Sequence, residues 1–185
     1  MPRPSVWPLG AVLLSMSCVA GAAEPDAARS GEDGILNSAW ERVTNGDSWN
    51  GPGHWRLLVS PFVQHYRFSS EHRRVWALGA ERQYDDRWLA GAAYFSNSFG
   101  QSSAYVYLGH RTEGLFGQPS VFFQWSAGGM YGYVGEFQSK VPLNVNGFSP
   151  AALVTLGWKY DTRTSFAVHA LGDAGLMFQL SYDLR

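Results

Sequence analysis

The stretch Leu176-Met177-Phe178-Gln179-Leu180-Ser181-Tyr182-Asp183-Leu184 alternates between two kinds of side chain. Its even-numbered residues are all apolar or aromatic, whereas Gln179, Ser181 and Asp183 between them are polar. A period of two places alternate residues on opposite faces of a β-strand. The stretch therefore predicts a strand with one apolar face and one polar face.

The same period recurs upstream of this stretch, and it predicts eight strands in all. The segments are Leu57–Phe68, Val75–Gln83, Arg87–Phe95, Ser103–Arg111, Ser120–Tyr131, Ser149–Tyr160, Thr164–Leu171 and Ala174–Leu184. The connections at 84–86 and 161–163 suit tight hairpins, and longer ones such as 132–148 tend to fall at the opposite end. The pattern predicts an all-β fold, an eight-stranded antiparallel up-and-down barrel over residues 56–185.

The polarity of the two faces distinguishes a membrane barrel from a soluble one. A soluble barrel such as a lipocalin has an apolar interior and a polar exterior, and a transmembrane barrel has the reverse. Here one face carries Glu81, Gln179 and Asp183, and the other carries Trp76 and Phe178. The larger apolar side chains suit contact with lipid, so the sequence favours a transmembrane barrel of the bacterial outer membrane. We expect this barrel to be a monomer.

Residues 1–23 have the features of a secretory signal peptide. Arg3 is basic, residues 6–19 are mostly apolar, and Gly21–Ala23 are small. The apolar run is shorter than the roughly 20 residues that a membrane-spanning helix needs. Cys18, the one cysteine, would leave with the signal, so we expect no disulfide and no cysteine metal site. A lipoprotein signal is the alternative, although residues 15–17 match it poorly.

Residues 24–55 are interpreted as a leader followed by a short amphipathic helix. The segment up to Gly34 is rich in small and charged residues, which is typical of a mobile leader. Apolar side chains then recur at helical spacing, at Ile35, Leu36, Ala39, Trp40 and Val43. Such a helix either packs on a soluble core or places its tryptophans in a membrane interface.

Charge and motif content narrow the classes of function. The chain has a net charge of −1, which gives no reason to expect nucleic acid as a partner. The sequence shows no metal-ligand spacing, no phosphate-binding glycine loop and no helix with paired histidines. We therefore expect neither a metal nor any other cofactor.

His65 and Ser98 are the residues that we single out for chemistry. If the N-terminus of the barrel lies in the periplasm, the first and third strands both end at the outer rim. His65 lies near the end of the first strand, and Ser98 follows the third. A histidine base beside a serine nucleophile is the minimum for acyl transfer. Since both residue types are common at strand ends and in loops, the pairing is a hypothesis.

The combination of a signal peptide, an amphipathic helix with tryptophan and an eight-stranded barrel resembles the lipid A palmitoyltransferase family of the bacterial outer membrane. The local matches are Val63–Phe68 and Phe95–Phe99. That family has an essential His at the first site and an Asp-Ser pair at the second. The resemblance therefore implies catalytic roles for His65 and Ser98, with Asn97 in place of the Asp. The amide of Asn97 carries no charge, but it can orient a partner or donate to an oxyanion.

The resemblance also implies substrates and a gauge for chain length. Family members transfer a palmitoyl chain from a phospholipid donor to lipid A, and the chain lies inside the barrel. Counting from Ser98, Gly109 falls where the family has the glycine at the floor of its acyl-chain gauge. An ordinary barrel glycine is the alternative reading of Gly109, and Gly128–Gly129 can serve the same interior role.

Two other functions remain open at this point. One is removal of an acyl chain from lipid A, which also uses His and Ser, and the other is a small structural or transport barrel without catalysis. Eight strands leave an interior that side chains just fill, which argues against an open pore.

Proline cannot donate to a β-ladder. Pro61, Pro142 and Pro150 therefore either mark strand ends or open gaps that admit a lipid sideways.

Overall fold

The computed structural model describes residues 41, 44, 49 and 51–184. The signal peptide and leader lie outside the described residues, as does the predicted helix apart from Glu41, Thr44 and Trp49, which are helical. No helix in the described part of the chain is long and apolar enough to cross a membrane.

Eight antiparallel strands close into a barrel in sequence order, with the first strand paired to the last. The strands are β1 (Gly53–His65), β2 (Trp76–Tyr84), β3 (Trp88–Ser96), β4 (Ser102–Glu113), β5 (Val121–Tyr131), β6 (Phe148–Lys159), β7 (Thr164–Ala170) and β8 (Gly175–Leu184). Two 3₁₀ turns, Leu115–Gly117 and Gly135–Lys140, lie in the connections before and after β5. The predicted up-and-down barrel is thus confirmed.

The barrel begins slightly earlier than the predicted boundary between residues 55 and 56. Residues Gly53, His54 and Trp55 already pair with Tyr84, Gln83 and Arg82 of β2. Gly53 tolerates this position because its φ of 121° lies in a region that favours glycine.

The exterior of the barrel is apolar, and much of the interior is polar. Outward side chains of the middle of the strands remain exposed, including Leu57, Val59, Leu78, Val106, Val154, Leu156 and Leu180. Buried polar side chains point inward from the same strands, including Ser60, Glu81, Gln124, Thr155, Ser181 and Asp183. This distribution is the reverse of the one expected for a lipocalin-like soluble barrel.

Exposed aromatic side chains form a belt near each end of the barrel. One belt contains Trp76, Tyr94, Tyr131 and Phe148, and the other contains Trp55, Trp158, Tyr160 and Tyr182. Tryptophan and tyrosine are favoured at membrane–water interfaces because one part of each ring system is apolar and another is polar.

The two ends of the barrel differ in their loops. We call "the rim" the end that carries loops 66–75, 97–101, 132–147 and 171–174, and "the lower end" the end that carries 85–87, 114–120 and 160–163. His65, at the end of β1, and Ser98, in the loop after β3, both lie at the rim.

Two ladders between neighbouring strands stop before they reach the rim. Pairing between β1 and β2 runs from Gly53 to Ser60, and the register of β1 against β8 shifts around Pro61. Pairing between β6 and β7 covers Val154–Lys159, so Phe148–Leu153, which contains Pro150, pairs with β5 alone. We call these two places the β1–β2 seam and the β6–β7 seam.

A network of buried charges crosses the interior near the lower end. Arg56 donates to Glu81, with 2.6 Å between Nη1 and Oε1, and also forms an ion pair with Asp183. The other oxygen of Glu81 accepts hydrogen bonds from Tyr107 at 3.2 Å and from Gln124 at 3.4 Å. The network therefore joins β1, β2, β4, β5 and β8 across the interior, and each buried charge has a partner of opposite sign.

Candidate active site

A cavity of about 720 Å³ extends from the rim into the barrel. This volume lies within the usual range of small-molecule pockets. Its walls are largely apolar, formed by residues that include Leu58, Val63, Val75, Ala77, Phe95 and Met130. Its deepest lining residues include Glu81, Tyr107 and Gln124, which belong to the charged network.

The length of the cavity follows from strand register. Glu81 pairs with Gly91 of β3, which is seven positions before Ser98. At about 3.3 Å per residue and a strand tilt of about 45°, this separation corresponds to a depth of about 16 Å. The cavity is therefore a narrow, mainly apolar tube with a polar floor.

The mouth of the cavity is formed in part by His65 and Ser98. The distance from His65 Nε2 to Ser98 Oγ is 2.8 Å, which is a hydrogen bond. Both side chains are half-buried and line the cavity. The structure thus brings together the two residues that the sequence placed at one rim, in an arrangement suited to a base and a nucleophile.

Asn97 is almost fully buried and holds the loop that carries Ser98. Its Oδ1 accepts hydrogen bonds from the backbone N–H groups of Phe99 and Gln101, each at 3.0 Å. Its Nδ2 donates to the side chain of Gln101 at 3.4 Å. Turns commonly form where the side-chain oxygen of an Asn accepts a hydrogen bond from the backbone N–H two residues later. The contacts of this amide thus lie within the loop, and they indicate a role in positioning Ser98.

A second imidazole, that of His72, packs at a tilt against His65. The ring centroids of His65 and His72 are 4.2 Å apart, and the edge of His72 also meets Phe99. Gln64, which precedes His65, is an exposed polar residue beyond the apolar part of β1. The imidazole of His65 therefore lies outside the apolar exterior of the barrel. Burial lowers the pKa of His65, and repulsion from His72 lowers it further. A neutral imidazole can accept the Ser98 proton, so the lowered pKa suits a base.

Tyr133 is a site residue that sequence reasoning missed. It lies in the loop between β5 and β6 and lines the same cavity. Burial raises the pKa of its phenol, and hydrogen bonds with the side chain and backbone of Ser98 oppose that rise. No period or motif marks this residue, because its position depends on how a loop of 16 residues folds over the rim.

Gly109 faces inward on β4, as the alternation predicts, but it does not line the cavity. The side chain of Leu89 lies 2.9 Å from the point that a Cβ on Gly109 would occupy, and the backbone oxygen of Trp125 would collide with it. Gly109 thus permits close packing of β4 with β5. Its role as a gauge stays a prediction from the resemblance, and any effect on the cavity would pass through Leu89 or Tyr107.

Comparisons with known proteins provide no family assignment. A scan against models of protein families finds none that matches this chain, and a search of curated proteins finds no relative. Among the described residues, no group of His, Cys, Asp and Glu is arranged to hold a metal ion. The geometry at the rim is therefore the basis on which a function can be inferred.

Proposed function

We propose that the protein is an acyltransferase of the bacterial outer membrane that moves a palmitoyl chain from a phospholipid to lipid A. The observation that carries this proposal is the hydrogen bond between His65 and Ser98 at the mouth of a deep apolar cavity. A tube of this shape suits an acyl chain. The hydrogen-bonded pair of His65 and Ser98, which we call the dyad, lies where the ester at the top of that chain would be.

The surface of the barrel supports the membrane location. Its apolar exterior between two aromatic belts fits the hydrocarbon layer and the two interfaces of a bilayer. The rim then faces outward, with the long loops, as in outer-membrane barrels generally.

The first half of the reaction transfers the chain to the protein. With the donor chain in the cavity, His65 Nε2 takes the proton from Ser98 Oγ while that oxygen attacks the ester carbon. The bond from the acyl carbon to the glycerol oxygen breaks, and His65 returns the proton to that oxygen. The products are a lysophospholipid and an acyl ester on Ser98.

The second half transfers the chain to the acceptor. A hydroxyl of lipid A gives its proton to His65 and attacks the acyl carbon. The bond to Ser98 Oγ breaks, and Ser98 regains a proton from His65. Exposed Arg67, Arg73 and Arg74 lie on the loop beside the dyad, where they suit the phosphates of the acceptor.

The two seams supply routes by which lipid chains reach the cavity from the side. Leu78, which is exposed on the outer face next to the β1–β2 seam, also lines the cavity. Pro150 and Ala152 do the same beside the β6–β7 seam. A lipid can therefore enter between strands without crossing a continuous ladder of hydrogen bonds.

Mass spectrometry of lipid A tests the proposal. Cells that express the wild-type protein should contain lipid A with one added palmitate, and cells that express Ser98→Ala should not. Ser96→Ala, two residues away on the outward face of β3, is the matched control and should leave the palmitate in place. Loss of an acyl chain would instead indicate a deacylase, and unchanged lipid A would indicate a barrel without this chemistry.

A further inference from the structure

The dyad alone leaves one requirement of acyl transfer unmet. Attack on the ester produces a tetrahedral intermediate with a negative oxygen, which enzymes stabilise with hydrogen-bond donors placed about 2.7–3.1 Å from it. His65 is occupied with the proton, and the amide of Asn97 is bonded within its own loop. A donor from another element at the mouth of the cavity would meet this requirement.

Tyr133 lines the mouth of the cavity together with His65 and Ser98. Its phenol is near enough to Ser98 for that residue to influence the phenol's pKa. Its ring packs edge-on against Phe99, the next residue, with the centroids 6.0 Å apart. The phenol thus borders the position where the ester oxygen of a bound donor would lie.

The surrounding loop fixes Tyr133 in a conformation that is costly by itself. Its φ of 57° lies in the left-handed region, which residues with a side chain adopt rarely. Asn144 Nδ2 donates to the carbonyl of Tyr133 at 3.2 Å. Gln101, in the loop that carries Ser98, bonds both the N–H and the carbonyl of Val134, each at 3.1 Å. A strained residue that is held from two sides is often a functional one.

We propose that Tyr133 is a third catalytic residue, whose phenol donates a hydrogen bond to the oxyanion during acyl transfer. This inference rests on the proposed function, because it assigns a donor to the same reaction. No bond to Tyr133 forms or breaks, and its proton stays on the phenol throughout.

The chemistry of the phenol suits this role. Burial raises the pKa of Tyr133, which keeps the proton in place at neutral and mildly alkaline pH. A neutral O–H donor at a partly buried site stabilises a developing negative charge without itself carrying a charge that must be desolvated.

Labelling of Ser98 with an alkyl fluorophosphonate tests the role of Tyr133 apart from that of either lipid. In this reaction His65 takes the proton of Ser98 Oγ, that oxygen attacks phosphorus, and fluoride leaves, while the negative phosphoryl oxygen mimics the oxyanion. Purified Tyr133→Phe in detergent should react more slowly by on the order of 10²-fold, the usual effect of removing one such donor. Tyr131→Phe, on the outer face two residues before, is the control and should react at the wild-type rate.

The outcomes separate this inference from the proposed function. If the wild-type protein is not labelled at Ser98, the proposed function fails and the inference fails with it. If Ser98 is labelled and Tyr133→Phe reacts as fast as the wild type, only the role of Tyr133 is overturned. Heat-modifiable migration on a gel checks that the variant is folded. Asn144→Ala, which keeps the phenol but removes its backbone support, should also slow labelling.

Discussion

Substitution of Ala93 tests whether the tube below the dyad accommodates the acyl chain. Ala93 faces inward on β3, where it pairs with Gly79 and Tyr105, and it lines the cavity. It is five positions before Ser98, which corresponds to a depth of about 12 Å below the dyad. A larger side chain here would therefore occupy space that only the distal part of a long chain needs.

The size of the effect follows from the volume added. Ala93→Leu adds three carbon atoms and should displace about three methylene groups of a palmitoyl chain. At about 0.8 kcal/mol per buried methylene, the loss is about 2.4 kcal/mol, or about 60-fold in kcat/KM. Donors short enough to end above Ala93 should keep their rate, so the preference should move to shorter chains.

The assay uses purified protein in detergent and a series of phosphatidylcholines with saturated chains of increasing length. Ala92→Leu is the matched control, because Ala92 is the neighbouring residue on the outer face of the same strand and is exposed. An unchanged profile in Ala93→Leu would refute the reasoning, and so would an equal shift in Ala92→Leu.

Gly109→Met can be measured in the same series. The resemblance predicts that this variant also shortens the preferred chain. The geometry instead predicts a barrel that folds poorly, because a side chain at this position would collide with the backbone of Trp125. A well-folded Gly109→Met with a shortened profile would place the floor at Gly109.

Two further predictions concern the residues around the dyad. Asn97→Asp keeps an oxygen that accepts from the N–H groups of Phe99 and Gln101, whereas Asn97→Ala leaves both donors unpaired, at a cost of about 1–3 kcal/mol each. The kcat of the Ala variant should therefore be at least about tenfold lower than that of the Asp variant. Equal rates would contradict a positioning role. His72→Phe keeps a packed ring but removes the repulsion that lowers the pKa of His65. Because His65 must be neutral to accept a proton, the acid limb of kcat/KM should move to higher pH, and an unmoved limb would contradict this coupling.

The sequence was sufficient for the barrel because a period of two is set by the pleat of the strand itself. The alternation in 176–184 defines a face without reference to any other segment, and all eight predicted segments correspond to strands. The start of β1 was placed four residues late, at Leu57, because Gly53 and His54 interrupt the apolar alternation, and their pairing with β2 depends on a distant segment.

The candidate site was only partly predictable. His65 and Ser98 could be placed at one rim because an up-and-down barrel brings the ends of odd strands together. The bonding of Asn97 depends on how the turn after β3 closes, and alternation carries no information about turns. Tyr133 lies in a loop whose path depends on Asn144 and Gln101, so its proximity to Ser98 has no counterpart in local sequence.

The charged network near the lower end has a consequence for how the barrel moves. Hydrogen bonds from Tyr107 and Gln124 to Glu81 connect β2 with β4 and β5, which are not its neighbours, so they resist deformation of the barrel's cross-section. The upper parts of β1 and β6 each lack the ladder to one of their two neighbouring strands. Low-energy fluctuations should therefore concentrate in the upper half, where amide protons would exchange fastest. The molecule can then widen at its mouth to admit a bulky lipid while its lower half keeps a constant diameter.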